Sequence, residues 1–440
     1  MNKRGCKITL DDHIGLTLPD ELISLAPILD NLVWSGCLLQ GTFPKDIAEC
    51  TGLVKLVLDH NCLSGSIPLG LTNCLSLAVL DLSHNRLVGA IPPELGQACT
   101  ALENLALQHN MLTGSIPREL GNCPGLERLL LEKNHLTGRI PGELNSCVGL
   151  TTLALAYNHL EGPIPKLSSL SALAELRLDN NRLTGSIPAD LVACSALDTL
   201  FLYANRLAGA LPADIGNCTN LTKLDVSGNE LSGELPLSVG ELKARGCAVN
   251  LHGNRKFTLS SDVHPVVDAE ELVFTGLGIF GTIPEDIGYC DGLRRLNLGV
   301  NKLTGPIPVA LLRWKCVEGR DVELHGNAGL ELPENVGELG EDVWKIDLVN
   351  HNLRGSVPGS IVKLVNLERL YLGGAMQKPL GCPVNERGEM AYDTRKQIRA
   401  FMRAIGGGPP SPGPRSARLR GDGASTITEG TAALFPRACQ

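Results

Sequence analysis

Aromatic residues are scarce in this chain. Phe, Trp and Tyr make up 3% of its 440 residues, too few to anchor several large conventional cores. Long apolar runs are missing as well, since no segment reaches the ~18 uninterrupted apolar residues of a membrane-crossing helix. The first residues, MNKRGCKITLDDHIG, place Lys7, Asp11, Asp12 and His13 where a secretory leader needs a continuous apolar stretch of ~7–15 residues. These absences predict a cytoplasmic chain with no membrane insertion. A secreted or plasma-membrane-associated chain is the alternative if further sequence precedes Met1. Catalytic signatures are absent too. The sequence holds no CxxC pair, HExxH, Walker sequence or nucleophile elbow, so it predicts no enzyme, no metal and no cofactor. Excess charge is small: 39 basic against 47 acidic residues give −8 with both signs interspersed, which argues against nucleic acid or anionic membrane as the main partner.

What the chain does have is glycine and proline, 49 and 27 of them, spread evenly as regularly spaced turns require. They belong to a repeat. Leu53, Leu56, Leu58, Asn61, Leu63, Gly65, Ile67 and Pro68 set a frame, LxxLxLxxNxLxGxIP, whose Asn recurs at Asn85, Asn110, Asn134, Asn158, Asn181, Asn205, Asn229 and Asn301. Weaker copies put Cys37, Leu277, His351 and Ala375 in that place. Three more, Ile8–Pro19, Val249–Ser260 and Val322–Pro333, lack the GxIP half. Together they predict about sixteen coils of 23–26 residues over roughly residues 6 to 380. In LxLxxN the two leucines are two apart and share one face of a short strand. Asn suits a turn where its side chain bonds free backbone groups of the next coil, and Pro stops a helix from starting early. One coil cannot bury its own leucines, so coils must stack.

These residues resemble plant-type leucine-rich repeats, marked by an LxGxIP half beside the general LxxLxLxxN half. The chain is similar to the repeat region of leucine-rich-repeat receptor-like proteins, although the paired-cysteine N-terminal cap and the kinase of such receptors are not recognised in it. The resemblance implies an α/β solenoid: a right-handed superhelix with its main parallel sheet on the concave side and a smaller sheet on a flank. The predicted organisation is a solenoid over residues 1–380, a cap over 381–405 and a disordered Gly/Pro/Ser/Arg-rich tail over 406–440. Ile398, Phe401, Met402 and Ile405 recur at helical spacing behind a Thr394/Gln397 capping box, so 389–405 reads as an amphipathic helix covering the last coil.

Cys50, Cys74, Cys99, Cys123, Cys147, Cys194, Cys218, Cys290 and Cys316 all lie eleven residues before the Asn position, a slot that Leu170 and Leu364 fill elsewhere. The slot is therefore apolar core, and its thiols are expected to be reduced and buried. Cys62 is the best candidate for an exposed thiol. His60, His84 and His109 precede Asn in three successive coils. They read as a solvated strand edge, with a metal or pH-sensing ladder as the alternative. Gly276, Gly278 and Gly281 spell GxGxxG, but Ile283–Pro284 follows at once and leaves no place for the phosphate-binding helix.

Function is expected on the concave strands, as a non-catalytic protein- or peptide-binding scaffold acting alone as a monomer. An ectodomain of a receptor-like protein, or the recognition arm of a larger signalling enzyme, is the alternative. The residues two and four before Asn point outward. They give Leu130 and Glu132, Ala154 and Ala156, Arg177 and Asp179, then Phe201 and Tyr203, with Tyr157 beside them. Aromatic anchors next to small residues predict a partner site with open space at the alanines. Arg177 and Asp179 are placed at its rim. A second, charged candidate comprises Arg294, Arg295, Arg320, Asp321, Glu323 and Lys345.

Overall fold

The computed structural model describes residues 16–18, 29–263, 269–314, 320–341, 343–374, 390–392 and 395–404. Each LxL segment forms a three-residue strand. Ten of these strands, from Asn31–Val33 to Ala248–Asn250, pair in parallel as one concave sheet. Register follows the leucines: Leu56 lies beside Leu80, Leu80 beside Leu105 and Leu105 beside Leu129. All four are completely buried.

The turn after each strand is built by the asparagine. Asn158 donates from Nδ2 to the carbonyls of Leu131 at 2.9 Å and Leu155 at 3.1 Å, and its Oδ1 accepts from the Leu136 N–H at 3.0 Å. One side chain thus satisfies buried backbone groups of its own coil and the preceding one. The residue just before Asn takes a left-handed backbone even where it is not glycine, with φ of 54° at His60, 57° at His109, 53° at Lys133 and 55° at Tyr157. The return is a cross-coil hydrogen bond, such as Tyr157 N–H to the Asp179 carbonyl at 3.0 Å. The convex side is most often a short 3-10 turn behind a proline, as in Arg118–Asn122 behind Pro117, and a short α-helix at Glu94–Ala98, Ser238–Ala244 and Val309–Trp314.

The flanking sheet departs from expectation. Loss of GxIP in three coils predicts a break in that sheet, yet pairing continues through the second and third of them and joins the first to its neighbour. Thr17 bridges Gln40. Phe257–Leu259 pairs with Gly233–Leu235 on one side, and Thr258 with Phe280 on the other. Gly329–Glu331 pairs with Thr304–Pro306, and Glu331 bridges Arg354. Strand pairing uses backbone groups only, so any extended segment of the right length can replace LxGxI. The flank is divided elsewhere, with sheets starting anew at Glu161–Gly162 and Gly233–Leu235, and the concave sheet breaks as well. After Ala248–Asn250 a new three-stranded sheet starts at Glu271–Val273 and ends at Asp321–Glu323. At the first break the Phe274 ring packs so closely on the helix Ser238–Ala244 that a Cβ on Gly240 would lie 2.5 Å from it.

The C-terminal end is closed by two elements. Met390–Tyr392, read as helix from the sequence, is instead a strand antiparallel to Arg369–Gly374. The helix begins only at Arg395 and runs to Ala404. It buries Ile398, Phe401 and Met402, with the Phe401 ring 4.7 Å from Tyr392. Ile405, Thr394 and the expected tail lie outside the described residues.

The cysteine slot is apolar core. Cys50, Cys74, Cys99, Cys123, Cys147, Cys194, Cys218 and Cys290 are buried free thiols, and burial pushes Cys74, Cys123, Cys147 and Cys194 up to about 11. Their sulfurs point at backbone carbonyls, Cys74 Sγ to the Cys50 oxygen at 3.1 Å and Cys147 Sγ to the Leu120 oxygen at 3.4 Å. Cys316 is outside the described residues. Cys247 is outside the slot yet also buried. Thiol titration of the native chain should therefore modify Cys37 and Cys62, both half-buried, while the ladder and Cys247 react only in denaturant. Mass mapping of the modified peptides checks this.

Candidate functional site

Leu202 is buried in the core, so strand alternation sends Phe201 and Tyr203 to the concave face. Their rings meet edge to face at 6.1 Å. Arg177, beside Phe201 in register, holds its guanidinium 5.7 Å over that ring, and Lys133 holds its ammonium 5.7 Å over Tyr157. Burial first, then the nearby Tyr157 and Asp179 side chains, raise the Tyr203 phenol well above its usual range, so it stays protonated.

The floor differs from the open hollow expected at the alanines. Ala154 and Ala156 are 1% and 0% exposed, because longer neighbours have folded over them. Asp179 is not at the rim but on this floor, its side chain 0% exposed. One carboxylate oxygen accepts from Asn180 Nδ2 at 3.0 Å. The other, Oδ1, has no hydrogen-bond partner, and neither have Glu132 Oε2 and Arg177 Nε. Arg177 reaches Asp179 and Glu175 only at 4.0 Å each, beyond hydrogen-bonding range. Burial pushes the Glu132 carboxyl up, with Arg177 pulling it partly back. The structure therefore brings Glu132, Arg177, Asp179, Phe201 and Tyr203 together, with Tyr157 alongside. Leu130 lies at the edge, one strand beyond Ala154. Sequence reasoning missed Glu175 and Lys133. Glu175 lies two residues before Arg177 on the same face, and Lys133 shares Tyr157's place in the preceding coil.

The charged alternative is neutralised from within. Arg295 pairs with Glu271 at 2.8 Å and Glu323 at 3.3 Å. Arg320 stacks 4.9 Å over Trp314 and donates to the Asp291 carbonyl. Lys345 pairs with Asp347 at 3.0 Å.

The imidazoles of His60, His84 and His109 form a continuous stack, with centroids 4.1 and 4.0 Å apart and planes within 17°. Parallel rings do not converge on a tetrahedral ion. Burial first, and the neighbouring imidazoles, hold His84 and His109 below their usual value, with Asp59 and Asp81 opposing at His84 and Lys133 reinforcing at both. The folded chain thus binds protons less readily there than the unfolded chain. This contribution to stability is present above the unfolded value of about 6.5 and is lost as pH falls through the depressed folded values. A double His84→Asn, His109→Asn variant, which keeps a residue tolerant of positive φ, should lose less melting temperature on acidification than the parent. Melting curves across that pH range check it.

Residues 75–136 match the family model "Leucine rich repeat", and residues 52–74, 172–194 and 220–242 match a second model of the same description. The chain is a leucine-rich-repeat protein of the plant type. No curated protein matches it. Among solved structures it is similar to the ectodomain of the Arabidopsis thaliana membrane receptor kinase GASSHO1/SCHENGEN3 in complex with CASPARIAN STRIP INTEGRITY FACTOR 2. That match has 30% identity and a TM-score of 0.59, covering 83% of this chain and 47% of that one. It is also similar to PEPR1 in the PEPR1–AtPEP1 structure, with 32% identity and a TM-score of 0.54, covering 84% and 48%. The Arabidopsis receptor kinase HAESA, in complex with the peptide hormone IDA and the co-receptor SERK1, matches at 27% identity and a TM-score of 0.53, covering 82% and 64%. The chain spans about half the length of the first two.

Proposed function

We propose that this chain is a non-catalytic, monomeric scaffold that binds a peptide or an extended protein segment along its concave face, through Glu132, Tyr157, Arg177, Asp179, Phe201 and Tyr203 with Leu130 at the edge. The observation that carries the reading is one cluster that combines three aromatic rings reaching the surface with unpaired carboxylate and guanidinium atoms on the concave sheet. Aromatic and Arg anchors are what dominate protein interfaces. The similar receptor kinase HAESA holds a peptide hormone, IDA, in its complex. The similar receptor kinases favour the secreted or plasma-membrane-associated alternative over a cytoplasmic chain. No helix among the described residues is long and apolar enough to cross a membrane. The solenoid over 1–380 would carry the binding, the cap over 381–405 would close its end, and 406–440 would be a tail.

The test uses a phage-displayed library of random dodecapeptides panned against the full chain. Enriched peptides should bind Phe201→Ala and Tyr203→Ala more weakly by about 2–4 kcal/mol, roughly 30- to 1000-fold, with little change in melting temperature because neither ring belongs to the leucine core. Unchanged affinity in both variants would sink the site. Lost melting temperature would make the rings structural.

A further inference from the structure

Resting on that reading, we propose that the floor of the concave patch is a receptor for a cationic side chain of the bound peptide, an arginine guanidinium or a lysine ammonium.

Charge comes first. Glu132, Glu175 and Asp179 face one guanidinium, Arg177, which reaches the latter two only at 4.0 Å. Lys133 is drawn off over the Tyr157 ring. The floor therefore keeps an excess of negative charge that its own cations do not neutralise at hydrogen-bonding distance.

Unfilled valence comes second. Asp179 is wholly buried, yet its Oδ1 accepts nothing, and Glu132 Oε2, on a carboxyl that feels the Asp179 charge, accepts nothing either. Buried polar atoms are almost always paired, and a carboxylate left without a donor calls for an explanation. What would satisfy both oxygens is a group carrying several N–H donors and a positive charge. An anionic ligand would meet repulsion, and an apolar side chain would leave the oxygens as they are.

The walls agree with the floor. Tyr157, Phe201 and Tyr203 supply ring faces, which attract cations, and two of these faces already hold the chain's own Arg177 and Lys133. In the free chain Arg177 acts as a loose placeholder. Its side chain is about one-third exposed (34%), so rotation about its own bonds uncovers the carboxylates without backbone movement.

The experiment starts from the peptides enriched in the dodecapeptide panning. They should share an Arg or Lys. Synthetic versions with that Arg replaced by citrulline, or Lys by norleucine, should bind ~10- to 100-fold more weakly, as expected for a charge-assisted bond. Asp179→Asn and Glu132→Gln should each weaken the cationic peptide by ~10-fold or more and leave the citrulline or norleucine peptide nearly unchanged, the signature of direct coupling. Melting curves of both near-isosteric variants show that the fold persists. Enriched peptides that need Phe201 and Tyr203 but carry no cation would overturn this inference and leave the concave site standing. Cationic peptides that bind both variants as tightly as they bind the parent would overturn it in the same way. If no peptide is enriched over the Phe201→Ala, Tyr203→Ala double variant, both the cation receptor and the concave site fail.

Discussion

Asn158→Ala is expected to destabilise the folded chain by about 2–5 kcal/mol, since a buried backbone group left without a partner costs about 1–3 kcal/mol. The substitution removes the acceptor of the Leu136 N–H and the donor to the Leu131 and Leu155 carbonyls. These groups lie in the buried turn, where water cannot replace the lost amide. The damage also spans two coils, which weakens the stacking on which a solenoid depends. Urea unfolding followed by circular dichroism gives the value. Arg206→Ala, at an exposed position in another coil, should stay within about 0.5 kcal/mol. Equal midpoints for the two variants would refute the asparagine's structural role.

Gly121→Val should be as damaging for a different reason, with a cost of at least about 3 kcal/mol from overpacking against a rigid neighbour. A Cβ on Gly121 would lie 2.4 Å from the Glu143 carbonyl oxygen and 2.7 Å from its carbonyl carbon. Both atoms are backbone of the next 3-10 turn, Gly142–Ser146, so no side-chain rotation relieves the clash. The two coils must move apart on the convex side, which pulls Cys123, Leu144 and Cys147 out of contact range. Stacked coils communicate only with their neighbours, so unfolding of this variant should also become less cooperative, with a shallower denaturant slope. A single transition of the parent's slope and midpoint would show that the convex spacing is soft.

Much of this architecture was readable in residue spacing. LxL assigned Leu56, Leu80, Leu105 and Leu129 to one buried row, and the shared slot with Leu170 and Leu364 identified the thiols of Cys74 or Cys147 as core. Both inferences work because a coil is short and each position has one environment, repeated many times. The candidate site was legible only in part. Alternation placed Phe201 and Tyr203 outward, but spacing treats each outward residue as exposed. Ala154, Ala156 and Asp179 are outward and yet covered, because how far Glu132 and Arg177 fold over a neighbouring strand depends on side-chain packing across coils. The charge excess on that floor involves Glu175, which a search for aromatic and small-residue anchors passes over.

Local periodicity and the need to bury leucines were enough to specify the repeat, its period, the identity of the core rows and the closing amphipathic helix. Packing between coils set where the sheets are continuous. The flank runs through coils that lack GxIP, because backbone pairing needs extension and length but no particular side chain. The concave sheet breaks between Asn250 and Glu271, where Phe274 packs against Gly240. Contacts across coils also set the site's character: whether a carboxylate such as Asp179 is buried and short of donors depends on residues two coils away, and no single repeat encodes that.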